Sequence, residues 1–409
     1  MSLFESASLV VTPNGTKASK LYAIKPTDGS GDLSVTRATT ATRVNSAGLI
    51  ESVASNVPRL DYTNGTCPSI LVEPQRTNLL TYSEQFDNAA WNNVRGVVTA
   101  NSTISPDGTT NSDTFASAAG QPFPPALTRT PSFTGNTNYS FSVFAKILGN
   151  SNLFNMAYVD NISGYTGGSV LYNLSTQSIT ITQSPNSSVT ASIQNYGNGW
   201  YRLVINFLTI ATPSFNYLQI GQSTNDVGNG FALYGAQLEA GAYATSYIPT
   251  TSASVTRNAD VISKTGISSL IGQTEGVMYF DLKTIANNDF KRLSINGGSY
   301  VNSIFFDFDN TNTLYAKVFN GGSAVATLIA SGINIANRNK IAIAYKNNDF
   351  SFYVNGSQVA SQSSGSIPSG LANYEFSLAS NQIFEGNINT AALWKTRLSN
   401  SELSTLTTI

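Results

Sequence analysis

Phe350-Ser-Phe-Tyr-Val354 runs directly into Asn355-Gly356, and Lys340-Ile-Ala-Ile-Ala-Tyr345 lies just upstream. Both segments place β-branched or aromatic residues at a period of two, the spacing of a strand with one buried face. Asn and Gly reach positive φ at low cost, so Asn355-Gly356 reads as a type I′ hairpin corner. The same signals recur upstream. Ser140-Phe-Ser-Val-Phe-Ala145, Tyr201-Arg-Leu-Val-Ile-Asn-Phe207 and Gly276-Val-Met-Tyr-Phe-Asp281 read as strands, and Asn64-Gly65, Asn296-Gly297 and Asn320-Gly321 read as corners. Helical periodicity is almost absent. The expected fold is all-β: tandem jelly-roll β-sandwiches preceded by a small strand-and-loop N-terminal region.

Composition agrees. Charged residues make up 11% of the 409 residues, against roughly 25% in an average soluble chain. Ser, Thr, Asn and Gly fill the gap and favour strands and turns. Such polar wealth also marks disorder, but 21 Phe, 19 Tyr and 3 Trp supply the apolar surface a folded chain needs. A net charge of −1 gives no field for nucleic acid or an anionic membrane. No apolar run approaches the roughly 18 residues a spanning helix requires. Met1-Ser-Leu-Phe-Glu5 lacks a basic region followed by an apolar stretch, so cytoplasmic synthesis is expected. The single cysteine, Cys67, sits in a turn-like stretch and reads as an unreactive thiol.

There is no histidine. This removes Ser-His-Asp and Cys-His nucleophilic chemistry and His-ligated metal sites. Carboxylate chemistry survives. A glycosidase needs two carboxylates about 5 to 9.5 Å apart, and Glu385 and Glu402 are isolated in sequence. The reading is therefore not an enzyme.

Three segments emerge. Residues 1–77 carry short apolar runs such as Leu9-Val-Val11 and a core too thin to stand alone, so they are expected to attach or oligomerise, packing on neighbours or other subunits. Residues 78–257 hold many strand candidates and end on a connector of small polar residues. Residues 258–409 have the size of one further sandwich.

Several phrases follow in order along the chain: Thr36-Arg-Ala-Thr-Thr-Ala-Thr-Arg-Val-Asn-Ser-Ala-Gly-Leu-Ile50, Leu71-Val-Glu-Pro-Gln-Arg-Thr-Asn-Leu-Leu80, Tyr82-Ser-Glu-Gln-Phe-Asp-Asn-Ala-Ala-Trp91, Ser105-Pro-Asp-Gly-Thr-Thr110, Gly199-Trp-Tyr-Arg202, Leu233-Tyr-Gly-Ala-Gln-Leu-Glu239 and Thr245-Ser-Tyr-Ile-Pro-Thr-Thr251. Together they resemble the head-fibre and tail-fibre proteins of tailed bacteriophages, whose middle part is similar to carbohydrate-binding-module jelly rolls. Phe352-Tyr-Val-Asn-Gly-Ser-Gln-Val359, Phe384-Glu-Gly-Asn-Ile-Asn389, Leu393-Trp394 and Leu398-Ser-Asn-Ser-Glu-Leu403 resemble the closing strands and short final helix of laminin-G-like or concanavalin-A-like sandwiches. In that last phrase, Ser399 or Asn400 is placed to cap the helix and Leu403 to cover the sandwich edge. Glucanases of the concanavalin-A-like fold carry a Glu-x-Asp-x-x-Glu strand phrase, which is missing here.

Glycan binding needs exposed aromatic faces beside amides and carboxylates. Tyr158, Asp160, Asn161 and Tyr165, with Tyr172 shortly after, form the best such cluster in the middle segment; the plainer reading packs these tyrosines in the sandwich. Trp200 and Trp394 read as core. Asp307, Asp309 and Asn310 offer oxygen ligands, which makes calcium the one candidate cofactor. The EF-hand pattern is incomplete there, so solvent-facing turn carboxylates are the plainer reading. No other cofactor is expected.

The resemblance implies a virion structural protein, a projecting fibre or decoration on head or tail, made in the host bacterial cytoplasm. Its implied partners are other virion proteins, further copies in a dimer or trimer, and host-surface polysaccharide, with neither nucleic acid nor membrane. The alternative is a polysaccharide-degrading depolymerase of the tail.

Overall fold

The protein was analysed as a computed structural model, which describes residues 3–63, 65–149, 151–160, 167–183, 188–213, 216–224, 230–285, 291–309, 311–378 and 382–409. It is almost entirely β, and every strand anticipated above forms. Tyr201–Phe207 lies within Trp200–Leu208, and Lys340–Tyr345 within Asn339–Lys346. Asn355 and Gly356 have φ of 50° and 85°, as a type I′ corner requires. The Asn320 corner is shifted by one residue: Asn320 ends its strand, and Gly321 and Gly322 take φ of 62° and 82°. Asn296 also ends a strand, but a loop over 297–302 follows instead of a tight corner. Asn64 lies outside the described residues.

The chain forms two compact units. The middle unit comprises Ala41–Ser52 and Arg76–Arg257. Two 6-stranded antiparallel sheets face each other in a jelly-roll-like sandwich. One is centred on Gly230–Ala240 and Asn138–Ile147, the other on Leu153–Asp160 and Asn216–Gln222. Their inward residues, among them Phe141, Phe154, Ile205, Ile220 and Phe231, make one core. The Phe154 and Phe231 rings meet edge to face at 5.0 Å.

The phrases quoted from this segment converge on one polar junction. Tyr247 donates to Glu84 at 2.9 Å, and Tyr234 donates to Asp107 at 3.2 Å. Arg202 donates to the Thr245 carbonyl at 2.7 Å, and Asn78 to the Ala236 and Ile248 carbonyls. Trp200 and Ile50 pack with Tyr234 and Tyr247 beside it. Burial, reinforced by the charges of Asp107 and Asp113, raises the Glu84 pKa against the lowering effect of its tyrosine hydrogen bonds.

The other unit is composite: Met1–Thr40, Val53–Gln75 and Asn258–Ile409. Residues 1–77 therefore do not stand apart. The strand Leu9–Lys17 lies between Lys20–Lys25 and Gly386–Trp394, and Ser69–Val72 pairs with Gly386–Trp394. Strands this short gain their core only inside a larger sheet. Leu9, Val11, Leu21, Val35, Ile70 and Val72 are buried with Phe280, Phe306 and Phe352.

Among the described residues this unit carries a 16-stranded antiparallel sheet. Its two halves fold over one core, where the Phe306 and Phe352 rings lie 5.8 Å apart. Outside one half, a second cluster joins Tyr279, Ala344, Tyr353 and Trp394 to Leu403 and Leu406 of the helix Asn400–Thr407. Ser399 caps that helix through a capping box with Glu402. The ends are also joined by buried charge. Asp260 binds Arg37 at 2.7 Å and Arg59, and Arg59 binds Glu73 at 2.6 Å. Burial works against the Arg59 charge, but Asp260 and Glu73 outweigh it and raise its pKa. No helix among the described residues is long and apolar enough to cross a membrane.

Candidate functional site

Of the residues anticipated as a glycan platform, the three that are described are buried. Tyr158 is 2% exposed, its ring stacked at 4.0 Å on Phe207, and its hydroxyl donates to Asp160. Tyr172 is fully buried and donates to the Val204 carbonyl at 2.6 Å. Burial raises the pKa of both hydroxyls, with Asp160 adding to the shift at Tyr158. Asp160 is itself buried. These three are core residues, because period-two alternation places one tyrosine face inward as readily as outward. Asn161 and Tyr165 lie outside the described residues.

Two of the anticipated calcium ligands, Asp307 and Asp309, are engaged elsewhere. Asp307 is buried and neutralised by Lys317 at 2.7 Å and Arg292 at 3.2 Å. Asp309 closes its own turn, accepting from the Thr311 and Thr313 amides at 2.8 and 3.1 Å. Burial tends to raise its pKa, but these bonds and those from the Thr311 and Tyr315 hydroxyls outweigh it. Asn310 lies outside the described residues. Among those described, no group of three or more His, Cys, Asp or Glu is placed to hold a metal ion.

A different surface meets the requirement. In the composite unit, strand register sets Ser263 beside Glu375, Glu375 beside Ser294, and Ser294 beside Phe305. One step along, Asn296 lies beside Ser303, and Ser303 beside Phe319. Ile262, Tyr374, Leu293, Ile295, Ile304 and Val318 point into the core. Alternation therefore turns Ser263, Glu375, Ser294, Asn296 and Phe319 to the opposite face.

A groove of about 540 Å³ opens on this face, lined by Ser263, Asn296, Ser299, Tyr300 and Glu375 with Val261 at its edge. Tyr300 is 45% exposed, with its ring 4.8 Å from that of Phe319. The half-buried Glu375 carboxylate and the Tyr300 hydroxyl have no hydrogen-bond partner among the described residues. The loop holding Tyr300 is braced. The Gly298 amide donates to Asn296 Oδ1 at 2.8 Å, and Ser303 donates to the Tyr300 carbonyl at 2.8 Å. Gly298 turns the chain at φ 95°, a conformation that favours glycine. Chemically, the groove offers an aromatic face for sugar C–H groups and a carboxylate and hydroxyls for sugar hydroxyls.

Sequence reading missed this groove because Ser263, Tyr300 and Glu375 are far apart in the chain. The legible signal was Asn296-Gly-Gly-Ser-Tyr300, a glycine-bearing turn that ends on an aromatic.

With this geometry in view, the protein falls in the class of all-β sandwich proteins. Residues 280–404 match the model of the Concanavalin A-like lectin/glucanases superfamily, Laminin_G_3. Among solved structures, the Ruminococcus gnavus IT-sialidase CBM40 bound to alpha2,3 sialyllactose is similar at 19% identity and a TM-score of 0.30, covering 35% of this chain and 86% of that chain. Domains LG4-5 of the mouse laminin alpha1 chain are similar at 10% identity and a TM-score of 0.26, covering 65% of this chain and 84% of that one. Trypanosoma rangeli sialidase in complex with the inhibitor DANA is similar at 10% identity and a TM-score of 0.30, covering 95% of this chain and 82% of that one. These likenesses concern fold alone. The chain matches no curated protein sequence.

Proposed function

We propose that the protein binds glycans without turning them over, through the Tyr300–Glu375 groove, as a projecting component of a tailed-bacteriophage particle. The observation that carries the binding reading is that the exposed Tyr300 ring, on a braced loop, lines one groove with the unpartnered Glu375 carboxylate. The matched family's description, which names lectins and glucanases, supports carbohydrate as the ligand class. The particle setting rests on the resemblance of the phrases between Thr36 and Thr251 to head-fibre and tail-fibre proteins. In that setting the ligand is host-surface polysaccharide. Single contacts are weak, and a dimer or trimer repeated over a particle gains strength from multivalency.

Titration calorimetry of the full chain against neutral bacterial polysaccharide fragments tests this. Saturable binding at millimolar ligand that is lost in Tyr300→Ala and Glu375→Gln supports the groove. Undiminished binding in both variants rejects it, and new reducing ends on incubation would establish a depolymerase instead.

A further inference from the structure

A second cleft, in the same composite unit, carries the opposite charge. It encloses about 910 Å³ and is lined by Cys67, Lys283, Asn337, Arg338, Asn387 and Asn389. Lys283 lies opposite Asn387 in register, half-buried, and its ammonium has no partner among the described residues. Arg338 donates through Nε and Nη2 to the two oxygens of Asp281 at 2.8 and 2.5 Å. That pair cancels, and Nη1 remains unbonded among the described residues. Asn389 also donates to Asp281 at 3.1 Å, and Asn387 to Ser69 at 2.8 Å, so the two cleft-lining amides are held in place while their oxygens accept from no described donor. The side chain of Asn337 makes no hydrogen bond among the described residues.

An uncompensated, partly desolvated ammonium attracts an anion more strongly than a solvated surface lysine does. Amide groups fixed beside it both donate to and accept from hydroxyls. The volume exceeds what an inorganic ion needs and falls within the range of small-molecule sites. We infer that this cleft binds an acidic saccharide, with a carboxylate or sulfate on Lys283 and Arg338 Nη1 and ring hydroxyls on the asparagines. The inference is independent of the Tyr300 groove, whose free carboxylate repels such ligands.

Cys67, the single cysteine and exposed at the cleft, provides the readout. The full chain is treated with dithiodipyridine, an uncharged thiol reagent, in the presence of oligogalacturonate, a sulfated oligosaccharide, a neutral oligosaccharide or inorganic sulfate. Either acidic oligosaccharide should slow modification several-fold, with protection weakening as salt rises. The neutral sugar and inorganic sulfate should not slow it at the same concentration. Protection should vanish in Lys283→Met, survive in Lys283→Arg and be unaffected by Tyr300→Ala. Equal protection by the neutral sugar or by sulfate, or protection persisting in a folded Lys283→Met, would overturn the assignment.

Discussion

Asp260 pairs with two buried guanidinium groups, and its removal takes a carboxylate from each, leaving Arg59 with Glu73 and Arg37 with backbone carbonyls. Breaking a buried pair by deleting one partner costs about 3–5 kcal/mol, so Asp260→Ala should lower the melting temperature of the composite unit steeply. An unchanged calorimetric transition would show that Arg37 and Arg59 find other acceptors. Glu84 gives a residue-scale test with a defined pH sign. Its folded pKa is raised, so its contribution is fully present below the ordinary carboxylate range. The contribution is lost as pH rises through the folded value and the buried carboxylate ionises. Gln keeps an oxygen for Tyr247 but cannot ionise. Glu84→Gln should therefore stabilise the middle unit at neutral pH and converge with the natural chain at about pH 3. A melting difference that stays constant with pH would contradict this. At this scale the sequence was partly legible. Trp200 and Trp394 read as core and are core, whereas Tyr158 and Tyr172 admitted a platform beside the plainer reading of sandwich packing, because a period of two does not say which face is inward.

The C-terminal helix is the element whose local logic is most complete. Ser399 accepts from the Glu402 amide, and Glu402 accepts from the Ser399 amide and hydroxyl. Ser399→Ala should cost about 1 kcal/mol, read as a fall in the denaturant midpoint of the composite unit. The hydrogen bonds from Ser399 hold the Glu402 pKa low. Its share of the stability is present above the unfolded carboxylate pKa and fades as pH falls through the folded one, so the penalty of Ser399→Ala should shrink in acid. A penalty independent of pH would show that Glu402 contributes nothing through its charge. Strands and this cap were readable from spacing and residue type, since both depend on neighbours within a few positions. The corner at Asn320 was displaced by one residue because Gly321-Gly322 reaches positive φ at still lower cost.

On the scale of the whole molecule, strands from the first 75 residues complete a sandwich whose remainder comes from the last 152. A chain starting at Asn78 lacks Leu9, Val11, Leu21, Val35, Ile70 and Val72 from that core and exposes the unpaired edge of Gly386–Trp394. Calorimetry of this truncated chain should show the composite unit's cooperative transition abolished; its survival at an unshifted temperature would mean that the early strands are dispensable. The sequence by itself determined the β class, most strand positions, the helix cap, and the lack of histidine chemistry. All of these follow from composition or from periodicity within a few residues. Only the tertiary structure decided that residues 1–40 and 53–75 join 258–409, that Asp307 is spent on Lys317 and Arg292, and that Tyr300 meets Glu375 and Ser263 in one groove. Strand register between distant segments fixes which side chains become neighbours, and register comes from burying whole faces together, which no local stretch of sequence encodes.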